Sequence, residues 1–132
     1  MKNEFKPFIV AVYGSLRQGF GNHRVLKDSE YLGTFKTNDL FTMYSLGAFP
    51  YIKPDEKNGI PITVELYKVI SDNIAYGLDC LEGYPSFYDK KNITIQNFET
   101  DLEIKTSFIE RESESDIVES GDWSLFKKGT YA

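Results

Sequence analysis

The chain has one cysteine, one histidine and one tryptophan in 132 residues. A lone Cys80 can form no intrachain disulfide and has no second thiol to share a metal, so the sequence points to a reducing, cytoplasmic setting. With His23 as the only imidazole, any serine-based triad would depend on that one ring. Positive charge is also scarce: 15 Lys and Arg stand against 20 Asp and Glu, a net charge of -5. Such a field repels polyphosphates and leaves no footprint for nucleic acid. No apolar run approaches the roughly 18 residues of a membrane span, and the charges of residues 1–7 are not followed by the long apolar region of a leader, so none is expected.

What is abundant is aromatic. Nine Tyr and ten Phe bring the aromatic share to 15%, within a hydrophobic share of 41%. That suits strands and pocket walls better than a helical bundle, and the length suits a single domain over residues 1–132. No repeat, low-complexity segment or linker divides it.

The pattern along the chain predicts about six strands and two short helices. Phe8 to Tyr13 is an apolar, β-branched run broken by Gly14-Ser15, as expected of a central, buried first strand. After two glycines, Asn22 is placed to cap a short helix reaching about Ser29. Tyr31 to Thr37 and Leu40 to Leu46 alternate around Asn38-Asp39, which predicts a hairpin. The three prolines of the segment from Phe49 to Pro61 predict an exposed loop at a pocket mouth. Ile62, Val64 and Leu66 mark one face of the next strand; Thr63, Glu65 and Tyr67 mark the other. Ser71 or Asp72 then opens a helix with Ile74, Leu78 and Leu81 as its buried stripe, ended by Gly83 and Pro85. Tyr88 to Gln96 and Glu103 to Ile109 predict a second hairpin. The fold class is therefore α+β, a mixed sheet or small β-barrel with flanking short helices. The segment from Glu110 to Glu119 reads as a solvated acidic loop, and Trp123 as a residue that packs the C-terminal segment onto the body.

Two places can carry chemistry. Helical rotation puts Glu82 only about 40° from Leu78, at the edge of the apolar stripe, where it either points to water from the helix end or meets the apolar wall. Desolvation there raises a carboxyl pKa toward neutrality, so that the group can both take and return a proton. The turn Tyr13-Gly14-Ser15-Leu16 offers successive main-chain N–H groups beside a glycine, a nest for a carboxylate or oxyanion. Glu65 is a second candidate carboxylate, able to face a cavity with Tyr67. Cys80 lies about 200° from Glu82 around the helix and reads as a packed thiol. The glycines after Ser15 give no reason to expect a Ser15–His23 pair.

In order and spacing, Val12-Tyr13-Gly14-Ser15-Leu16-Arg17 with Asn22, Val64-Glu65-Leu66-Tyr67, Leu81-Glu82-Gly83-Tyr84-Pro85 with Tyr88, and Ser120-Gly121-Asp122-Trp123 together resemble the γ-glutamylcyclotransferase-like family. The likeness runs from about Phe8 to Trp123. It implies a small mixed β-barrel with flanking helices and conversion of a γ-glutamyl amide to 5-oxoproline plus free amine, a lyase- or acyltransferase-type cyclisation. Carried over, Glu82 is the catalytic acid/base, Tyr13, Gly14, Ser15 and Leu16 hold the glutamyl end, and Tyr88 lines the pocket. The short length and Leu16 look more like the bacterial and γ-glutamylamine (AIG2-like) branches than the glutathione-directed ones. Val64 and Lys90 stand where the family often has Gly and Arg. The reaction brings its own nucleophile and calls for no metal or organic cofactor; the partner is a small molecule, with no nucleic acid or membrane involved. A binding protein that sequesters a metabolite without turnover is the alternative use of the same cavity.

Overall fold

The computed structural model describes residues 5–14, 16–47, 49–82, 88–109 and 116–130, with the backbone alone at positions 21, 82 and 128–130. Its elements are β1 (Phe8–Val12), a 3-10 helix (Gly21–Leu26), β2 (Glu30–Lys36), β3 (Phe41–Ser45), β4 (Pro50–Pro54), β5 (Thr63–Val69), α1 (Asp72–Glu82), β6 (Asp89–Asn92), β7 (Ile104–Phe108) and α2 (Trp123–Thr130).

Five strands form one sheet in the order β2-β5-β1-β7-β6, and β3 pairs with β4 separately. β1 is central, antiparallel to β5 and parallel to β7. Its unbroken apolar run follows from burial on both faces. Ile9, Ala11 and Tyr13 enter a core with Val64, Leu66, Phe41 and Trp123. Val10 and Val12 enter a second core with Leu26, Tyr67 and Leu78, beneath the 3-10 helix and α1. Each fully buried aliphatic or aromatic side chain contributes roughly 1.5–3 kcal/mol.

The α+β class is as expected, and the second hairpin forms as β6 pairs with β7. A closed barrel is not found: the edges meet only where Thr37 bridges Ile95, and no continuous ladder joins β2 to β6 among the described residues.

The expected hairpin about Asn38-Asp39 does not form. Instead β2 pairs antiparallel with β5 and β3 with β4. Thr37 diverts the chain, because its hydroxyl donates to Asp39 O (2.7 Å) and accepts from Ile62 N–H (2.9 Å). The proline-rich segment is not all loop either. Pro50 and Pro54 sit at the two ends of β4, and Tyr51 and Ile52 between them are completely buried. Prolines tolerate strand ends, where a missing N–H costs little.

The first helix is a 3-10 helix with Phe20 at its N-cap and no side-chain cap, rather than a helix capped by Asn22. α1 starts as expected: Ser71 Oγ accepts the Ile74 N–H at 3.3 Å, and Asp72 complements the helix dipole. Leu78 is buried and Ile74 packs beside it, but Leu81 is exposed because the core ends a turn earlier. Trp123 is fully buried and stacks on Phe126, docking α2.

Candidate active site

The chain leaves the sheet at the C-terminal end of β1, and Gly14 O accepts the Arg17 N–H at 3.0 Å to close a four-residue turn. Tyr13 is buried, and its hydroxyl donates to Ser107 O on β7 (3.0 Å). Gly14 lies against the ring of Pro50, so close that an added Cβ would stand 2.8 Å from both Cγ and Cδ. Tyr88, also buried, donates its hydroxyl to the carbonyl of the same Pro50 at 2.8 Å. Pro50 is thus the point where the turn after β1 meets the chain entering β6. Tyr88 continues into a cluster with Tyr44, Tyr51 and Ile109, in which Tyr44 and Tyr51 stack at 5.1 Å.

Of the residues singled out in the sequence, Tyr13, Gly14 and Tyr88 therefore come together. Leu16 does not join them: it is buried in the core beneath the 3-10 helix, and its carbonyl accepts from His23 Nδ1 at 2.9 Å. Ser15 lies outside the described residues, as do 83–87 and most of the acidic segment, 110–115. Glu82 is described as the last residue of α1, one helical turn after Leu78. Leu78 itself borders a cleft between α1 and the sheet, with Val10, Asp79, Lys90 and Ser107 around it. Lys90 is ion-paired there with Asp79.

Glu65 is not an open cavity carboxylate. It is 5% exposed, and three donors occupy it: Arg17 Nε at 3.0 Å on Oε2, and Gln18 N–H at 2.8 Å and the Tyr67 hydroxyl at 2.9 Å on Oε1. Burial, then the neighbouring carboxylate, push the Tyr67 phenol well above its ordinary pKa, so it stays a donor. Arg17 reaches past Glu65 to Asp122 Oδ1 at 2.9 Å. Composition and periodicity did not reveal this trio as a unit. The available signal was a carboxylate between Val64 and Leu66 in a strand otherwise buried on both faces, which requires a buried cation elsewhere in the chain.

Among the described residues, no group of three or more His, Cys, Asp or Glu is placed to hold a metal ion. No described helix is long and apolar enough to cross a membrane. The turn after β1 and the Tyr88 hydroxyl thus meet at Pro50, and Tyr88 lies six positions after Glu82, the last residue of α1; main-chain turns of this kind suit a carboxylate or an oxyanion.

A family model described as gamma-glutamyl cyclotransferase, AIG2-like, matches residues 10–125. Two similar proteins are named putative gamma-glutamylcyclotransferases. That of Methanocaldococcus jannaschii is 38% identical over 89% of this chain and 97% of its own. That of Vibrio cholerae is 33% identical over 87% and 94%. Among solved structures, an uncharacterised protein from Pyrococcus horikoshii shares the fold with a TM-score of 0.76 at 18% identity, covering 94% of this chain and 96% of that one.

Proposed function

The chain belongs to the gamma-glutamyl cyclotransferase, AIG2-like family, and we propose that it converts a γ-glutamyl amide to 5-oxoproline and a free amine, with Glu82 moving the proton. The substrate's own α-amine attacks its γ-carbonyl carbon. A C–N bond forms to close the lactam, the original amide C–N bond breaks, and the proton lost by the attacking nitrogen is returned to the leaving one. The protein must bend the substrate, accept that proton and give it back.

A single carboxylate can perform both transfers, and Glu82 is that group in this reading. The main-chain N–H groups of the Tyr13 to Leu16 turn hold the negative charge of the glutamyl carboxylate or of the oxygen developing in the tetrahedral intermediate. Tyr88 walls the pocket. Leu16 then acts through its backbone, its side chain being used to anchor the turn in the core. The observation that most supports the reading is the convergence of Gly14 and Tyr88 on Pro50, which sets a candidate anion-holding turn beside the aromatic cluster.

The test is mass spectrometry for 5-oxoproline after incubation with γ-glutamyl amino acids, glutathione and γ-glutamyl-ε-lysine. Wild type should form the product. Glu82→Gln should bind the same substrate and lose activity by a factor of about 100 or more, the usual share of a positioned acid/base. Wild-type turnover in Glu82→Gln removes Glu82 from this role. Tight binding by wild type without product replaces the enzyme with a sequestering protein.

A further inference from the structure

The turn after β1 is held at its far end by three charged side chains that the chemistry above does not use. Arg17 is 6% exposed and bridges Glu65 on β5 and Asp122 ahead of α2. Its backbone N–H closes the turn on Gly14 O, while the neighbouring Gln18 N–H is taken by Glu65 Oε1. Asp122 Oδ1 also accepts the N–H groups of Ser124 (3.0 Å) and Leu125 (3.3 Å), so the first turn of α2 and the turn after β1 share one oxygen. Gly121, at φ +67°, passes so close to the start of β5 that an added Cβ would lie 2.9 Å from Pro61 O, and its own carbonyl accepts the Thr63 N–H.

We infer that Glu65, Arg17 and Asp122 form a positioning network that fixes the turn after β1 through Gly14 O and the Arg17 and Gln18 N–H groups, and that it makes the site depend on the docking of α2. This rests on the reading of that turn as the substrate-holding element. A buried ion pair is weak evidence for stability, because well-packed apolar residues of similar volume often serve the folded state as well. What apolar residues cannot do is hold the Gln18 N–H. Nor can they fix the arginine between two acceptors on different elements. One cation faces two carboxylates, and the residual negative charge on Asp122 lies where the first-turn N–H groups of α2 stabilise it. Glu65, with both oxygens occupied by donors, is a positioning residue and not a proton shuttle.

Two full-length variants test this. In Glu65→Gln and in the paired Arg17→Met, Glu65→Leu variant, the Gln18 amide should exchange with solvent faster than in wild type. On the γ-glutamyl amino acid that wild type turns over fastest, kcat/KM should fall by roughly a hundredfold, the scale of a small misplacement of binding groups. The acid limb of the pH profile should stay where wild type has it. The paired variant strands the Gln18 N–H and the Tyr67 hydroxyl, so its urea midpoint should fall below that of wild type, and kinetics read well under that midpoint separate positioning from folding. Wild-type kcat/KM in the paired variant overturns the inference. So does a Glu65→Gln protein whose Gln18 amide stays protected while the acid limb disappears, since that behaviour marks Glu65 as the base. If wild type forms no 5-oxoproline from any γ-glutamyl compound, the proposed reaction fails separately, and the Gln18 exchange rate still decides the positioning role.

Discussion

Replacing Gly14 by alanine adds one methyl group where the structure has no room. The new Cβ would stand 2.8 Å from Cγ and Cδ of Pro50, roughly 1 Å inside ordinary carbon–carbon contact. Gly14 is not at a positive φ, so the effect is steric rather than a matter of backbone strain. A proline ring cannot swing aside, and Tyr51 and Ile52 behind it are completely buried. Either the turn or the start of β4 must therefore move. Overpacking of this kind costs about 1–3 kcal/mol, which lowers Tm by roughly 3–10 °C for a domain of this size. Because Pro50 also accepts the Tyr88 hydroxyl, kcat/KM should fall further than the loss of folded protein explains. Urea unfolding and steady-state kinetics read both effects. Gly19→Ala is the control: at φ +90° with nothing within 4 Å, it should show only the backbone cost of about 1–2 kcal/mol. Pro50→Ala removes both clashing atoms, so combining it with Gly14→Ala should recover about 1 kcal/mol or more relative to additivity. A Gly14→Ala protein within about 0.5 kcal/mol of wild type, or a strictly additive cycle, refutes the reasoning.

Two further expectations come from single groups. Tyr88→Phe leaves the Pro50 carbonyl without its donor and should cost about 1–2 kcal/mol in urea unfolding; an unchanged midpoint would show that the bond contributes nothing. Asp55 accepts the main-chain N–H of Asn58 and the hydroxyl of Thr42, which in that order hold its carboxyl below the ordinary 3.8. A depressed folded-state pKa means that its contribution is complete above about pH 4 and is lost as pH falls through the folded value. The stability difference between wild type and Asp55→Asn should therefore shrink on acidification, and a difference that grows instead contradicts the assignment.

The parts legible in the sequence were those governed by near neighbours. β1 announced itself because a strand buried on both faces leaves no polar alternation. α1 did so because Ser71, Asp72 and the spacing of Ile74 and Leu78 are local signals. Gly14 stood out by type and place in the chain and Tyr88 through the family resemblance, although nothing local says that both meet Pro50. Pairing misled where it depended on distant partners. Asn38-Asp39 has good turn chemistry, yet β2 finds more to pair with along the seven residues of β5. The prolines of 50–54 read as loop because their strand-end positions show only once β3 lies alongside.

By itself the sequence determined the α+β class, the central first strand, the capped helix ending at Glu82 and the ordered motifs that place the chain in its family. The first three rest on periodicity, turn chemistry and residue type, which act over a few positions; the family rests on the likeness of the ordered motifs to known members. It took the packed sheet to show that Glu65 is consumed by Arg17, Gln18 and Tyr67, that Leu16 turns into the core, and that Asp122 ties α2 to the turn after β1. Arg17 lies 48 positions from Glu65 and 105 from Asp122. A buried charge is tolerable only with a partner, but which partner is set by the packing of the sheet and not by spacing along the chain.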